Sequence, residues 1–344
     1  MWCKNMKSLV ECVPNFSEGR DKNKINKITD IVRNSENVTL LDVDMGYDFN
    51  RTVVTMVGEP ESVLKTVIKC TKLASEIIDM RNHSGEHARM GAVDVVPFIP
   101  IRNISMHDCI LLSERYAESI SNELEMSVFL YAESARQENR IKLPDIRRGE
   151  YEGLSDKLSN VEWKPDYGPA SFNPKLGVTA TGARQFLIAY NINLDTNDKK
   201  KANLIASKIR TSGSLIKDDE GNKIYDSAGI PMRKAGMFKS LQAAGWMYDE
   251  NIAQVSMNLL DFSITGLHTV TEEVKKQALK IGLNATSSEL VGLVPLDAML
   301  DAGKFYSKKD NLSEVEYVKE AISGLMLDKL NHFDSKTNII EWAI

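Results

Sequence analysis

Apolar residues in the first 135 positions are spaced as in alternating strands and helices. Short runs rich in β-branched residues predict strands, whereas apolar residues that recur every three or four positions predict helices. The predicted strands are 9–13, 38–44, 51–58, 93–101 and 128–133. The predicted helices are 19–35, 61–79 and 106–123. Because the intervening MGYDFN favours a turn, we predict that the second and third strands form a hairpin.

The same order of elements returns in the second half of the chain. Strands are predicted at 186–194, 241–248, 255–262 and 289–296, and helices at 198–210 and 268–281. Strand, helix, strand, strand, helix, strand is the ferredoxin-like order, which packs helices on one face of an antiparallel sheet. We therefore predict an α+β protein with two ferredoxin-like (βαββαβ) αβ-sandwich subdomains in tandem.

Three segments fall outside this repeat. Residues 136–182 are rich in Arg, Pro and Gly, and they predict a connector with one short helix near 147–158. The polar, turn-rich residues 211–234 predict a mobile loop, and 313–328 predict one more helix. The expected domains are 1–180, 181–310 and a helical tail, 311–344.

The composition excludes several classes of protein. With 344 residues, 42% hydrophobic and 26% charged, the chain has globular proportions and length for about two domains. Its 43 Lys and Arg against 48 Asp and Glu give a net charge of −5, which does not favour a nucleic-acid partner. The longest stretches free of Asp, Glu, Lys and Arg are ten residues, such as 185–194, whereas a membrane helix needs about 20 apolar residues. We expect no membrane partner, and the opening residues lack a secretory pattern, which predicts a cytoplasmic protein.

The four cysteines, Cys3, Cys12, Cys70 and Cys109, are widely spaced and form no C-x-x-C pair. This spacing favours reduced thiols over a disulfide framework or a zinc site. We expect no catalytic cysteine.

The densest group of reactive side chains lies within residues 78–95. Its members are His83, Glu86, His87, Arg89 and Asp94. The Ser-Gly pair between the histidines disfavours a continuous helix, so their i, i+4 spacing does not predict a zinc pair. Either histidine can simply hydrogen-bond loop backbone. A glycine-flanked histidine beside Glu and Arg also suits a general base with an orienting carboxylate and an anion-binding guanidinium, and both interpretations stay open.

Other polar residues lie at strand ends and in the connector. Asn15, at the end of the first predicted strand, fits either a ligand contact or part of a helix cap. On the predicted hairpin, Arg51 suits a carboxylate substrate. Residues 163–184, with Lys175, lack periodicity, and between two sheets such a segment can wall a ligand cleft.

Five long segments, in order, resemble the glutamate formimidoyltransferase family. They are LVECVPNFSEGR (9–20), LLDVDMGYDFNRTVVTMVGEPESV (40–63), IDMRNHSGEHARMGAVDVVPFIPI (78–101), GPASFNPKLGVTATGARQFLIAYNINL (168–194) and NLLDFSITGLHTVTEE (258–273). The resemblance implies two αβ-sandwich subdomains with a ligand cleft between them, and subunits that pair into homodimers. It also implies transfer of the formimidoyl group from N-formimidoyl-L-glutamate to tetrahydrofolate, which gives 5-formimidoyltetrahydrofolate and L-glutamate in histidine breakdown.

The resemblance also assigns residues. The family's catalytic histidine, in its GEHPRMGA motif, falls on His87 in GEHARMGA, where Ala88 replaces the usual Pro and frees the backbone after the base. The family's folate-binding stretch falls on Gly168, Pro169, Ala170, Ser171, Phe172, Asn173, Pro174, Lys175, Leu176 and Gly177. Tetrahydrofolate is the implied co-substrate, and no metal is expected.

The chemistry of such a transfer suits these residues. A carbon that moves between two nitrogens passes through a tetrahedral centre, so the attacking nitrogen loses a proton and the departing nitrogen gains one. One imidazole can do both in turn, because its pKa lies near neutrality. The predicted site has His87 as general acid/base, Glu86 or Asp94 orienting its ring, and Arg51, Arg89 and Asn15 as substrate ligands.

Two other functions stay open on the sequence. One is formyl exchange between 5-formyltetrahydrofolate and glutamate, which needs the same base because formyl and formimidoyl differ only by oxygen for nitrogen. The other is folate binding without catalysis. In animals the family domain is fused to a cyclodeaminase, and we expect a separate cyclodeaminase to use the product here.

Overall fold

A computed structural model describes residues 8–227, 229–330 and 333–344 of the chain. The fold divides into two units between Gln185 and Phe186, and each unit has its own main sheet. The strands of the first unit are β1 (Leu9–Cys12), β2 (Asn15–Phe16), β3 (Val38–Gly46), β4 (Arg51–Gly58), β5 (Val93–Arg102), β6 (Ser127–Ala132) and β7 (Val178–Ala183). Its helices are α1 (Lys22–Arg33), α2 (Pro60–Ile77), α3 (Met106–Leu124), α4 (Leu143–Arg147) and α5 (Leu154–Ser159).

The sheet of the first unit has seven strands and is mixed. β4 pairs antiparallel with β3 on one side and with β1 and β2 on the other. β5 pairs antiparallel with β1 and β2, whereas β7 runs parallel to both β5 and β6. Pro14 separates β1 from β2 because it has no N–H to donate, although its carbonyl still accepts the N–H of Val54.

Three helices cover one face of this sheet because each carries an apolar stripe. On α1, Ile25, Ile28 and Val32 recur at helical spacing and are fully buried. Asp21 accepts the N–H groups that begin α1, and Pro60 begins α2, where its missing N–H costs no hydrogen bond.

The opposite face is covered in part by α4 and α5. Val128 and Phe129 are neighbours on β6 and therefore point to opposite faces. Val128 lies in the core beneath α1, α2 and α3, whereas Phe129 packs with Ile146 of α4 and Leu154 of α5. The segment between β6 and β7 thus brings its side chains onto the face that the long helices leave open.

The second unit has a four-stranded antiparallel sheet in the order β11-β12-β8-β13. Its strands are β8 (Ile188–Leu194), β9 (Ser214–Leu215), β10 (Arg233–Lys234), β11 (Leu241–Met247), β12 (Ala253–Leu259) and β13 (Ala285–Val291), of which β9 and β10 form a separate small sheet. Its helices are α6 (Lys199–Ile209), α7 (Leu267–Leu279), α8 (Leu296–Tyr306), α9 (Glu314–Gly324) and α10 (Ser335–Asn338).

The predicted α+β class and the organisation into two units are confirmed, and several details of the predicted elements are wrong. The one short helix expected near 147–158 is replaced by two helices, α4 and α5, with turns between them. The connector assigned to 136–182 ends inside β7, whose sequence, VTATGA, has too few large apolar residues to signal a strand. The strand expected at 289–296 lies at Ala285–Val291, and α8 follows it unpredicted. The segment expected to be a loop, 211–234, contains the paired strands β9 and β10. The functional domain boundaries at 180 and 310 stay predictions.

Candidate active site

The loop that carries the two clustered histidines is bound to the β3–β4 turn. The Nε2–H of His83 donates to the carbonyl of Asn50 at 2.8 Å, and Asn50 Nδ2 donates to the carbonyl of Ser84 at 3.0 Å. Gly85 lies against the turn so closely that a Cβ there would be 2.2 Å from the carbonyl oxygen of Phe49. A glycine is therefore required at this position, because any side chain would push the loop away from the hairpin.

A third segment joins this arrangement at the end of β2. Asn50 has a left-handed backbone, with φ of 46°, and its Oδ1 accepts the N–H of Gly19 at 2.9 Å. Ser17 donates through its hydroxyl to the carbonyl of Gly91 at 2.7 Å. The end of β2, the β3–β4 turn and the histidine loop, which are distant in sequence, thus meet at one place.

Both ring nitrogens of His87 have partners, and these partners fix its tautomer. Nδ1 lies 2.6 Å from the carbonyl oxygen of Ala88, and Nε2 lies 2.5 Å from Nη1 of Arg51. A carbonyl can only accept and a guanidinium can only donate. The ring is therefore neutral, with its proton on Nδ1 and its lone pair on Nε2. The half-buried side chain also meets the ring of Phe49 edge-on at a centroid distance of 6.0 Å.

The charges around His87 favour the neutral imidazole. Desolvation by burial is the largest cause that lowers its pKa, followed by the positive charge of Arg51, and Arg147 adds to the same effect. Asp94 opposes this effect from a distance, since its carboxylate is bonded to Arg147 and to the N–H of Met90. At neutral pH His87 is thus a neutral imidazole rather than an imidazolium, and its Nε2 lone pair is directed at Arg51.

His83 has the opposite tautomer and a different role. Its Nδ1 accepts from Nε of Arg89 at 3.3 Å, and its Nε2–H points to backbone. Desolvation by burial lowers its pKa as well. The guanidinium of Arg89 is also bonded to Glu150 at 3.0 Å and to Glu152 at 2.5 Å. His83 therefore hydrogen-bonds the backbone of the β3–β4 turn. Arg89 pairs with Glu150 and Glu152, and these residues line an open depression of about 560 Å³.

The segment 168–177 lies beside the histidine loop and is fixed at both ends by glycines. Gly168 and Gly177 have φ of 80° and 68°, and a Cβ on either would lie about 2 Å from a carbonyl oxygen. Met80 donates its N–H to the carbonyl of Lys175, and Ala92 donates to that of Leu176. Residues 168–171 between these anchors are exposed.

Two aromatic side chains support the same segment. Phe172 packs against Tyr151 at a ring centroid distance of 5.5 Å, and the Tyr151 hydroxyl donates to the carbonyl of Pro174 at 2.5 Å. The guanidinium of Arg89 lies over the ring of Tyr151, 5.9 Å from its centroid. Lys175 donates to the carbonyl of Glu76 at 3.2 Å, so its ammonium is anchored to α2.

The remaining predicted site residues lie as follows. Asn15 is buried, and its amide donates to the carbonyl of Val13 at 3.0 Å. Glu86 is exposed and meets the hairpin through its backbone N–H, which donates to Asp48. The contact with His87 Nδ1 that was expected from Glu86 or Asp94 is made by the carbonyl of Ala88.

Sequence reasoning misses Arg147, which belongs to the site through its charge on His87. It ends α4, and its side chain is 13% exposed. Its ion pair with the fully buried Asp94 fixes it on the open sheet face. The Arg-rich composition of the connector is the one signal that points to it, because no motif surrounds this residue.

A polar face on the second unit is also invisible to motif reasoning. On one face of the second unit's sheet, buried polar side chains of β8, β12 and β13 form a hydrogen-bonded network with one half-buried carboxylate. Its members are Asn191, Asn193, Gln254, Ser287 and Glu289. The signal is a period-two alternation of amides, for example in YNINL, which places them on one face of the sheet. Sheet faces are usually apolar where they are buried, so a polar network of this kind is unusual.

Several expected absences concern the described ranges only. Within residues 8–227, 229–330 and 333–344, no group of three or more His, Cys, Asp and Glu side chains is arranged for a metal ion. Over the same ranges, no helix is both long and apolar enough to cross a membrane. Cys12, Cys70 and Cys109 are buried free thiols, and burial raises the pKa of Cys70 and Cys109 to about 12. Cys3 lies outside the described residues.

Comparison with known families matches almost the whole chain. Residues 9–184 match the N-terminal subdomain of the formiminotransferase domain. Residues 189–344 match the family described as formiminotransferase domain. The matched ranges include the histidine loop, the segment 168–177 and the polar face of the second unit.

Individual relatives agree with this match. Formimidoyltransferase-cyclodeaminase of Rattus norvegicus is 46% identical over 98% of this chain and 60% of its own length. Glutamate formimidoyltransferase of Streptococcus pyogenes is 38% identical over 94% of this chain and 100% of its own length. That of Thermoplasma acidophilum is 38% identical over 89% of this chain and 95% of its own length. The chain therefore spans about 60% of the fused relatives and nearly all of the shorter ones.

Proposed function

This chain belongs to the formiminotransferase family, and we infer from that membership that it transfers the formimidoyl group of N-formimidoyl-L-glutamate to tetrahydrofolate. The products are 5-formimidoyltetrahydrofolate and L-glutamate. The observation that carries the proposal is the neutral imidazole of His87, whose Nε2 lone pair faces a guanidinium in the family-matched part of the chain.

The proposed reaction needs a proton carrier and two bound substrates. N5 of tetrahydrofolate bonds to the amidine carbon, and its proton passes to Nε2 of His87. The tetrahedral centre then collapses, the bond from carbon to the glutamate nitrogen breaks, and the imidazolium returns the proton to that nitrogen. Such proton transfer contributes about 10² to 10⁴ in rate, and holding both substrates together contributes the larger part.

We propose that the cationic groups around His87 bind the substrate carboxylates. Arg51 is the first candidate because, among the described side chains, it forms no ion pair. Arg147 supports the site from its pair with Asp94. Arg89 and Asn15 stay proposed substrate ligands, and Glu86 and Asp94 stay proposed catalytic residues that orient His87. The exposed part of 168–177 is the proposed folate contact, supported by its fixed glycine ends beside the loop.

Further properties stay proposals. Both units are proposed to be ferredoxin-like, which is supported by the strand order β11-β12-β8-β13 in the second unit and β3-β4-β1-β5 in the first. A homodimer, a cytoplasmic location and a separate cyclodeaminase that uses the product follow from the resemblance alone.

The test is a direct assay of the purified chain. N-formimidoyl-L-glutamate and tetrahydrofolate should give one L-glutamate for each formimidoyl group transferred. No turnover at high enzyme concentration, with folate binding measured by calorimetry, would favour a binding protein instead. A faster reaction between 5-formyltetrahydrofolate and L-glutamate, under the same conditions, would assign the formyl exchange.

A further inference from the structure

The lone pair of His87 that must accept the proton is already occupied. Nδ1 is bonded to Ala88, and the Nε2 lone pair receives the Arg51 N–H. A ring nitrogen has one lone pair, so it cannot take a proton while the guanidinium donates to it. The arrangement without substrate therefore holds the base in a covered state.

We propose that Arg51 is a removable cap on His87, and that a substrate carboxylate draws its guanidinium away from Nε2 and so uncovers the base. This inference rests on the proposed function, because the carboxylate belongs to the amino acid substrate. It makes Arg51 a substrate-binding residue whose movement couples substrate binding to the availability of the base.

Arg51 is the guanidinium at this site that can be recruited. Arg147 is paired with Asp94, and Arg89 is paired with Glu150 and Glu152. Among the described residues, the Arg51 side chain has no carboxylate partner, and its one hydrogen bond goes to the neutral His87 ring. A charge-assisted, bidentate bond to a carboxylate is stronger than a bond to a neutral imidazole, so an arriving carboxylate wins the competition.

The movement needs no change in the backbone. Arg51 begins β4, where Gly46 of β3 pairs with it across the hairpin, so its Cα is fixed. The half-buried side chain can change position through its own torsions, and Arg147 repels its charge. The capped and uncapped states therefore differ in the conformation of the Arg51 side chain, while the backbone of the hairpin stays the same.

The charged groups that face the His87 ring determine whether carboxylate binding raises or lowers its pKa. They are Arg51 from β4, Arg147 from α4 and Asp94 from β5. Asp44 on β3 acts on Arg51 itself. Once a carboxylate neutralises Arg51 and removes its N–H from Nε2, the proton is held more tightly, and the pKa of His87 rises. The same event therefore frees the lone pair and strengthens the base.

The test follows the His87 ring by NMR titration with labelled histidine, using glutarate as an unreactive dicarboxylate. In the wild-type protein, saturating glutarate should raise the His87 pKa, as expected when a neighbouring cation is neutralised. In Arg51→Met, the pKa should already be raised and should not respond to glutarate. The Arg148→Met variant, which loses an exposed neighbour of Arg147, should behave as wild type.

The outcomes separate the cap from the proposed reaction. An unchanged pKa with glutarate bound, a response in Arg51→Met equal to that of wild type, or no glutarate binding at all would each overturn the cap. Arg51→Lys, with thermal melting as a check of folding, provides the second variant and should respond less than wild type. Transfer without the NMR response would reject the cap and keep the function, and the response without transfer would do the reverse.

Discussion

The carbonyl oxygen of Ala88 fixes the tautomer of His87 by accepting the N–H of Nδ1 at 2.6 Å. Residue 88 therefore acts on the base through its backbone, which Ala and the usual Pro of the family both provide. The side chain at this position is secondary, because neither a methyl group nor a pyrrolidine ring takes part in that bond. Ala88 therefore keeps the carbonyl that this bond needs.

Ala88→Pro should accordingly be tolerated. Among the described residues, the N–H of Ala88 has no backbone acceptor, so the ring removes no hydrogen bond. Proline at a compatible position stabilises by about 0.4 to 1 kcal/mol by restricting the unfolded chain. We expect an unchanged transfer rate and a slightly higher Tm. A loss of activity without unfolding would show that Ala88 has a backbone conformation that proline cannot adopt.

Gly85→Ala should move the histidine loop away from the β3–β4 turn. The added Cβ would lie 2.2 Å from the carbonyl of Phe49, so the loop must shift. Misplacement of a catalytic group by about 1 Å can cost about 10²-fold in rate, and we expect a loss of that order in kcat. Gly221→Ala is the remote control for kcat: its left-handed backbone, with φ of 88°, makes the substitution locally strained, but its methyl group meets nothing within 4 Å and it lies outside the histidine loop. Equal rates for both variants would contradict the account of the loop.

Stability should fall as the pH decreases from 7.5 to 5.5. Burial lowers the folded-state pKa of His83 and His87, whereas an unfolded histidine titrates near 6.5. The unfolded chain then binds more protons than the folded chain in this range, so acidification favours unfolding. Urea unfolding at both pH values measures the difference, which His87→Gln should reduce. The exposed His107→Gln should not reduce it, and an equal reduction in both variants would refute the assignment.

Arg140 should be the main support of the segment that carries Arg147. It is fully buried, pairs with Asp166 at 2.7 Å and donates to the carbonyls of Glu162 and Lys164. Removal of one partner from a buried pair costs about 3 to 5 kcal/mol, and Arg140→Met should lower the free energy of unfolding by that amount.

The controls for this prediction use the same measurement. Arg140→Met with Asp166→Asn should recover part of the loss, because no unpaired carboxylate stays buried. Arg115→Met breaks the exposed pair with Glu61 and should cost less than about 1 kcal/mol. If Arg140→Met and Arg115→Met have similar stability, Arg140 does not hold the segment.

Much of the fold follows from local patterns in the sequence. The apolar stripe of α1 and the hairpin of β3 and β4 carry clear periodicity and turn residues, and the structure has both. β7 was not predictable in this way, because VTATGA is specified by its place between two parallel neighbours rather than by its own residues.

The site divides along the same line. His87 is found from its motif, since the glycine and the charged neighbours are adjacent in sequence. Its hydrogen-bond partner Arg51 cannot be found from that motif, because Arg51 lies 36 positions away and acts through a tertiary contact. The pairing of Arg147 with Asp94 spans 53 positions and is equally invisible to local reasoning.

Single-turnover transfer with His87→Ala, beside the exposed control His107→Ala, measures whether His87 carries the proton between the two nitrogens. We expect a loss of about 10² to 10⁴ in the transfer rate for His87→Ala, folate affinity within a few-fold of wild type, and wild-type rates for His107→Ala. A His87→Ala variant that transfers the formimidoyl group at close to the wild-type rate would contradict this role of His87.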